Sequence, residues 1–92
     1  MRAVIVRTFS AGVHYGYLTK QSADGKKVSL TKARRIWYWK GANTLHEISL
    51  HGVGGGSKIS EPVKRIDLTE VTEIIDCTPK AVENLNKATW AS

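Results

Sequence analysis

The chain has 92 residues, with fourteen Lys and Arg against eight Asp and Glu for a net charge of +6. A chain this short buries only about 60–65% of its unfolded surface, which makes a deep cleft hard to build within one copy and a homo-oligomer the expected source of further burial. A single cysteine, Cys77, excludes an intramolecular disulfide, and the absence of a signal-like or membrane-spanning apolar stretch leaves no membrane partner and an intracellular protein as the expectation.

Arg2 to Phe9 alternates β-forming residues without a helical stripe, and Ser10-Ala11-Gly12 then turns the chain into a second strand from Val13 to Lys20. Asp24-Gly25 is a two-residue turn signal of the type I′ class, because both central positions there need positive φ. A third strand follows from Lys26 to about Lys40, and its length predicts a bend or break near Thr31-Lys32-Ala33. Leu45 to His51 alternates well enough for a short strand, with a helical turn as the competing assignment. Gly52 to Lys58 is loop. Val63 to Cys77 supplies one or two more strands. Thr78-Pro79 then caps a helix over about residues 79–90, with Val82, Leu85 and Ala88 as its apolar stripe. The expected fold is α+β, mostly β: one domain over residues 1–92, built as a small antiparallel barrel or strongly bent sheet of five to six short strands (about residues 2–77) with one C-terminal helix.

The charge is uneven. Residues 1–58 hold ten basic side chains against two acids, and residues 59–92 hold four against six. The basic part also holds the densest aromatic run, Ala33 to Lys40, with Trp37, Tyr38 and Trp39 among Arg34, Arg35 and Lys40. On a strand, Arg35, Trp37 and Trp39 share one face and Arg34, Ile36, Tyr38 and Lys40 the other. Indoles beside a fixed positive charge suit planar bases and phosphates, since stacking contributes roughly 1–3 kcal/mol per base. The competing reading is that at least one of Trp37 and Trp39 is core.

Tyr15 and Tyr17 extend the aromatic wall if their strand neighbours the tryptophan strand. Ser57 and Lys58 follow the glycine run as donors for an anion, with Gly54 to Lys58 as a loop that orders over a ligand, and His51 lies just before it. The run is not a Walker A motif, because Gly56-Ser57-Lys58 leads into Ile59-Ser60-Glu61-Pro62 rather than a helix. His46 and His51 have no third metal ligand at a sensible spacing, so no metal is assigned. No Ser-His-Asp or paired-carboxylate arrangement is legible, so no catalytic residue, cofactor or enzyme activity is assigned. Cys77, ending an apolar strand, reads as an inert thiol. The candidate ligand-binding set is Arg34, Arg35, Trp37, Trp39, Lys40, His51, Ser57 and Lys58.

The segments Val6 to His14, Ala33 to Glu47 (ARRIWYWKGANTLHE) and Leu50 to Val63, with its SKISEPV stretch, resemble those of a family of small phage and prophage proteins that forms a domain of unknown function. The resemblance runs over nearly the whole chain. It implies a phage source and the cytoplasm of the infected bacterial host, and it brings no activity. Taken with the aromatic and basic strand, it leads to the expectation of a small counter-defence protein that sequesters a nucleotide-derived signal, a cyclic oligonucleotide or ADP-ribose derivative, without chemistry. The alternatives are a nucleic-acid-binding small β-barrel and an inhibitor of a host defence complex.

Overall fold

The computed structural model describes residues 2–90. Along the chain run β1 (Arg2–Thr8), β2 (Val13–Gln21), β3 (Val28–Tyr38), α1 (Leu45–His51), β4 (Lys58–Ile59), β5 (Val63–Leu68), β6 (Val71–Asp76) and α2 (Pro79–Lys87). All pairings are antiparallel, in the order β4-β3-β2-β1-β6. Strand β5 also pairs with β3, along its first half from Val28 to Ala33, while β4 pairs with Ile36 and Tyr38. The six strands form a strongly bent sheet that does not close into a barrel.

Strand β1 is buried on both faces because its run Ala3-Val4-Ile5-Val6 has no polar alternation. Ala3 and Ile5 pack with Tyr15, Ile36, Ile48, Ile59 and Leu85 beneath the two helices. Val4 and Val6 pack with Val28, Leu30, Ala33 and Leu68 inside the curl of the sheet. The helices therefore cover one face, and the curl covers much of the other.

The break expected near Thr31-Lys32-Ala33 is present. Lys32 has φ 50°, and Tyr17 pairs with Thr31 while Tyr15 pairs with Arg34, so two residues of β3, Lys32 and Ala33, oppose one of β2, Gly16. The extra residue shifts the alternation by one. Leu30 and Ala33 both join the inner cluster, and Arg34 and Ile36 turn towards the helices.

Two local expectations are corrected. Strands β2 and β3 are joined by the six residues 22–27, and Gly25 (φ 75°) takes positive φ while Asp24 does not, so no type I′ turn forms. Asp24 instead accepts hydrogen bonds from Ser22 Oγ and the Lys26 amide, the local competition with a tight hairpin that Asp side chains offer. Leu45–His51 is a second helix, because Thr44 accepts from the Glu47 amide and the Glu47 carboxylate reaches back to Asn43. Helix α2 starts as expected, with Thr78 accepting from the Ala81 amide, and ends at Lys87, leaving Trp90 outside it.

Candidate binding face

The second half of β3 decides where each candidate lies. Arg34 is buried, 8% exposed, and its guanidinium donates to three carbonyls: Ser60, Leu85 and Ala88. The last two sit at the C-terminal end of α2, where a cation suits the helix dipole. Arg34 is thereby removed from the binding set: every nitrogen of its guanidinium is occupied in holding α2 and β4 to the sheet. Trp39 also leaves the set. The strand ends at Tyr38, so Trp39 escapes the alternation, is only partly exposed, and packs against the core beneath the helices.

Trp37 is the residue that reaches solvent, at 61% exposure. Its partner is Trp90, beyond the end of α2, which is 51% exposed. The two rings stack with centroids 5.3 Å apart and planes at 29°. Lys58 is held beside them, because its backbone bridges to Trp90 and pairs with Tyr38. Its Nζ lies 5.8 Å from the Trp37 centroid and 5.4 Å from that of Trp90, within cation–π range of both. Arg35 is two residues back on the Trp37 face, exposed, with Nε 3.4 Å from His14 Nε2. Lys40 Nζ stands 6.0 Å from the ring of exposed Tyr38.

Among the described residues, none of Arg35, Lys40 and Lys58 takes part in an ion pair. Four of the acids are engaged elsewhere, with Arg2, Arg7, Arg65 and Lys87. The face around the stacked indoles therefore keeps uncompensated positive charge.

Ser57 and the glycine run play a structural part. Ser57 is buried; its hydroxyl accepts from the Lys40 amide and donates to the Gly54 carbonyl. The Gly54 amide donates to the Lys40 carbonyl, and a Cβ on Gly41 would come within 2.9 Å of Gly54 N, so only glycine permits that approach. Asn84 on α2 binds both the amide and the carbonyl of Val53. The run is thus tied at Val53, Gly54 and Ser57, which corrects the lid expectation. A cleft of about 320 Å³ is lined by this run on one side and by Lys87, Ala88 and Thr89 on the other, with Asn84 bridging them. Replacing Asn84 by Ala leaves both Val53 groups without this partner, so a loss of about 1–3 kcal/mol in urea unfolding is expected, together with faster proteolysis at Gly54–Gly56.

His51 ends α1 and is exposed, but Thr78 at the start of α2 bonds to the Leu50 carbonyl there, a helix length of about 13 Å from the C-terminal end of α2 that leads to Trp90. It is not part of the indole face. Tyr15 is wholly buried beneath the helices and donates to Asn86, which in turn donates to Tyr17, so neither tyrosine extends the wall. Burial pushes the Cys77 thiol up to about 12, with the Asp76 charge adding to it, so it is no nucleophile at neutral pH. Among the described residues no group of three His, Cys, Asp or Glu side chains is placed to hold a metal, and no helix is long and apolar enough to cross a membrane.

Two residues of the site were not singled out from sequence. Trp90 lies off the apolar stripe of α2, the one sign that its indole has a different partner. His14 gave no such sign, because its position depends on pairing with Arg35 across the sheet.

A family model described as a domain of unknown function (DUF6948) matches residues 1–85, which leaves Trp90 beyond the matched segment. No curated protein and no solved structure matches the chain.

Proposed function

The chain belongs to the DUF6948 family, a domain of unknown function, and from the geometry of its aromatic face we propose that it is a non-catalytic binder of nucleotide-derived ligands. One observation carries the proposal: two stacked, half-exposed tryptophans, Trp37 and Trp90, share a lysine ammonium, with an unpaired arginine two residues along the same strand face. A base extends the indole stack, and its phosphates meet Lys58 and Arg35. The biological role we propose is sequestration of a nucleotide signal in a phage-infected bacterial cytoplasm, as a homo-oligomer. The second reading, single-stranded nucleic acid, is favoured by the exposure of both indoles, on which successive bases can stack.

Intrinsic tryptophan fluorescence against a panel of cyclic oligonucleotides, ADP-ribose derivatives and short oligonucleotides tests the proposal, with native mass spectrometry reading stoichiometry and assembly. Trp37→Ala is expected to lower affinity by about 5- to 150-fold for one lost stacked base, with little change in stability. Trp39→Ala should instead destabilise the fold. For an oligonucleotide contacting Arg35, Lys40 and Lys58, log affinity should fall with log salt at a slope of about −2. No response from any member of the panel overturns the proposal and moves the face to a protein partner.

A further inference from the structure

Below the indole face, where the curl of the sheet opens, His14, Ala33, Arg35, Ser60, Val63 and Ile66 line a cleft of about 230 Å³. His14 is 2% exposed, and its Nδ1 has no hydrogen-bond partner. An arginine only donates, so the contact from Arg35 Nε makes His14 Nε2 the acceptor and leaves the imidazole proton on Nδ1. That proton is a buried donor without an acceptor, an arrangement whose cost persists unless something fills it.

The other polar groups of the cleft are also donors or are already used. The Arg35 guanidinium keeps both terminal nitrogens free and has no acidic partner among the described residues. Ser60 Oγ accepts from the Arg35 amide and donates to the Glu61 carbonyl. No carboxylate lines the cleft, and Ala33, Val63 and Ile66 supply an apolar wall. The missing component is a compact, acceptor-rich anion.

We infer that this cleft is an oxyanion subsite that takes a phosphate monoester: its oxygens meet the free terminal nitrogens of Arg35, and a small shift of the cleft wall that uncovers the buried Nδ1–H lets His14 donate to one of them. Arg35 precedes Trp37 by two residues on one strand face, about 7 Å along the strand, which is the scale of the base-to-phosphate span in a nucleotide. The subsite thus names the phosphate end of the proposed ligand, and it rests on that reading only for what is attached to the phosphate. Burial, and then the Arg35 charge, hold the imidazole down at about 4, so it is neutral at pH 7 and donates from Nδ1 alone.

The test is titration of inorganic phosphate, and separately of adenosine and AMP, into ¹⁵N-labelled protein at pH 7, following the His14 ring nitrogens, Arg35 Nε and the Trp37 and Trp90 indoles. Phosphate should shift His14 Nδ1 and Arg35 saturably, and AMP should shift these and the indoles together. Arg35→Gln should weaken phosphate binding about tenfold or more, as should His14→Phe read at Arg35, for the loss of one charge-assisted hydrogen bond. Both variants should keep the fold, because Arg35 is exposed and phenylalanine removes an unpaired buried donor. Phosphate that leaves His14 and Arg35 unmoved overturns the subsite, even if adenosine moves the indoles and so upholds the stack. Phosphate that moves His14 while no nucleotide moves the indoles upholds the subsite and overturns the stacking.

Discussion

Arg34→Met is expected to destabilise the fold by about 3–5 kcal/mol, from the loss of three hydrogen bonds made by a charged group, each contributing about 1.5–3 kcal/mol before water replaces part of it. The guanidinium joins three backbone carbonyls: Ser60 just after β4, Leu85 in the last turn of α2 and Ala88 just after it. Methionine fills part of the volume but leaves the buried Leu85 carbonyl unpaired, at about 1–3 kcal/mol, and takes the partner from the part-buried carbonyls of Ser60 and Ala88. Equilibrium urea unfolding at pH 7 measures it. Since a domain of this size holds of the order of 5–10 kcal/mol in total, the variant should be close to unfolded at 37 °C. Arg35→Met, one residue along, should change stability by no more than about 0.5 kcal/mol, because its side chain is exposed. Equal effects from the two arginines would show that the α2 terminus is not held in this way.

The second large effect is acid loss of stability through His14. Its pKa is lowered from 6.5 to about 4 in the fold, so below pH 6.5 the unfolded chain binds a proton that the native state refuses. Stability tied to this group is therefore fully present above pH 6.5 and is lost as pH falls from there towards 4. The full loss is on the order of 3 kcal/mol. Unfolding free energies at pH 7 and pH 4.5 should differ by most of that amount in the wild type, and His14→Phe should remove this part of the difference. An unchanged pH dependence in that variant would mean that His14 is protonated in the native state or hydrated at Nδ1.

Much of the fold was legible because its signals are local. The β1 run, the Thr78-Pro79 cap and the bend at Thr31-Lys32-Ala33 each follow from a few neighbouring residues. The Leu45–His51 segment reads as a short strand, with a helical turn as the competing assignment, when its period-two pattern is followed and the cap that decides for the helix, Thr44 with Glu47, is passed over. The alternation of Arg35 and Trp37 against Arg34 and Ile36 held as read. It did not reveal which side is core, since the bulge at Lys32 and the docking of α2 assign the faces. Ser57 was misread for a related reason: its hydroxyl looks free until Lys40 and Gly54 close around it.

The sequence by itself determined the mostly-β class, the C-terminal helix and the concentration of aromatic and basic residues on one strand, since these depend on side-chain period, capping and composition. Only the tertiary structure decided that Arg34 is a buried clamp while Arg35 remains free. It also decided that Trp37 finds Trp90 rather than Trp39, and that His14 is left with a donor and no acceptor. Each of these outcomes joins residues between 21 and 54 positions apart, and such contacts follow from how strands and helix pack rather than from any pattern among neighbours.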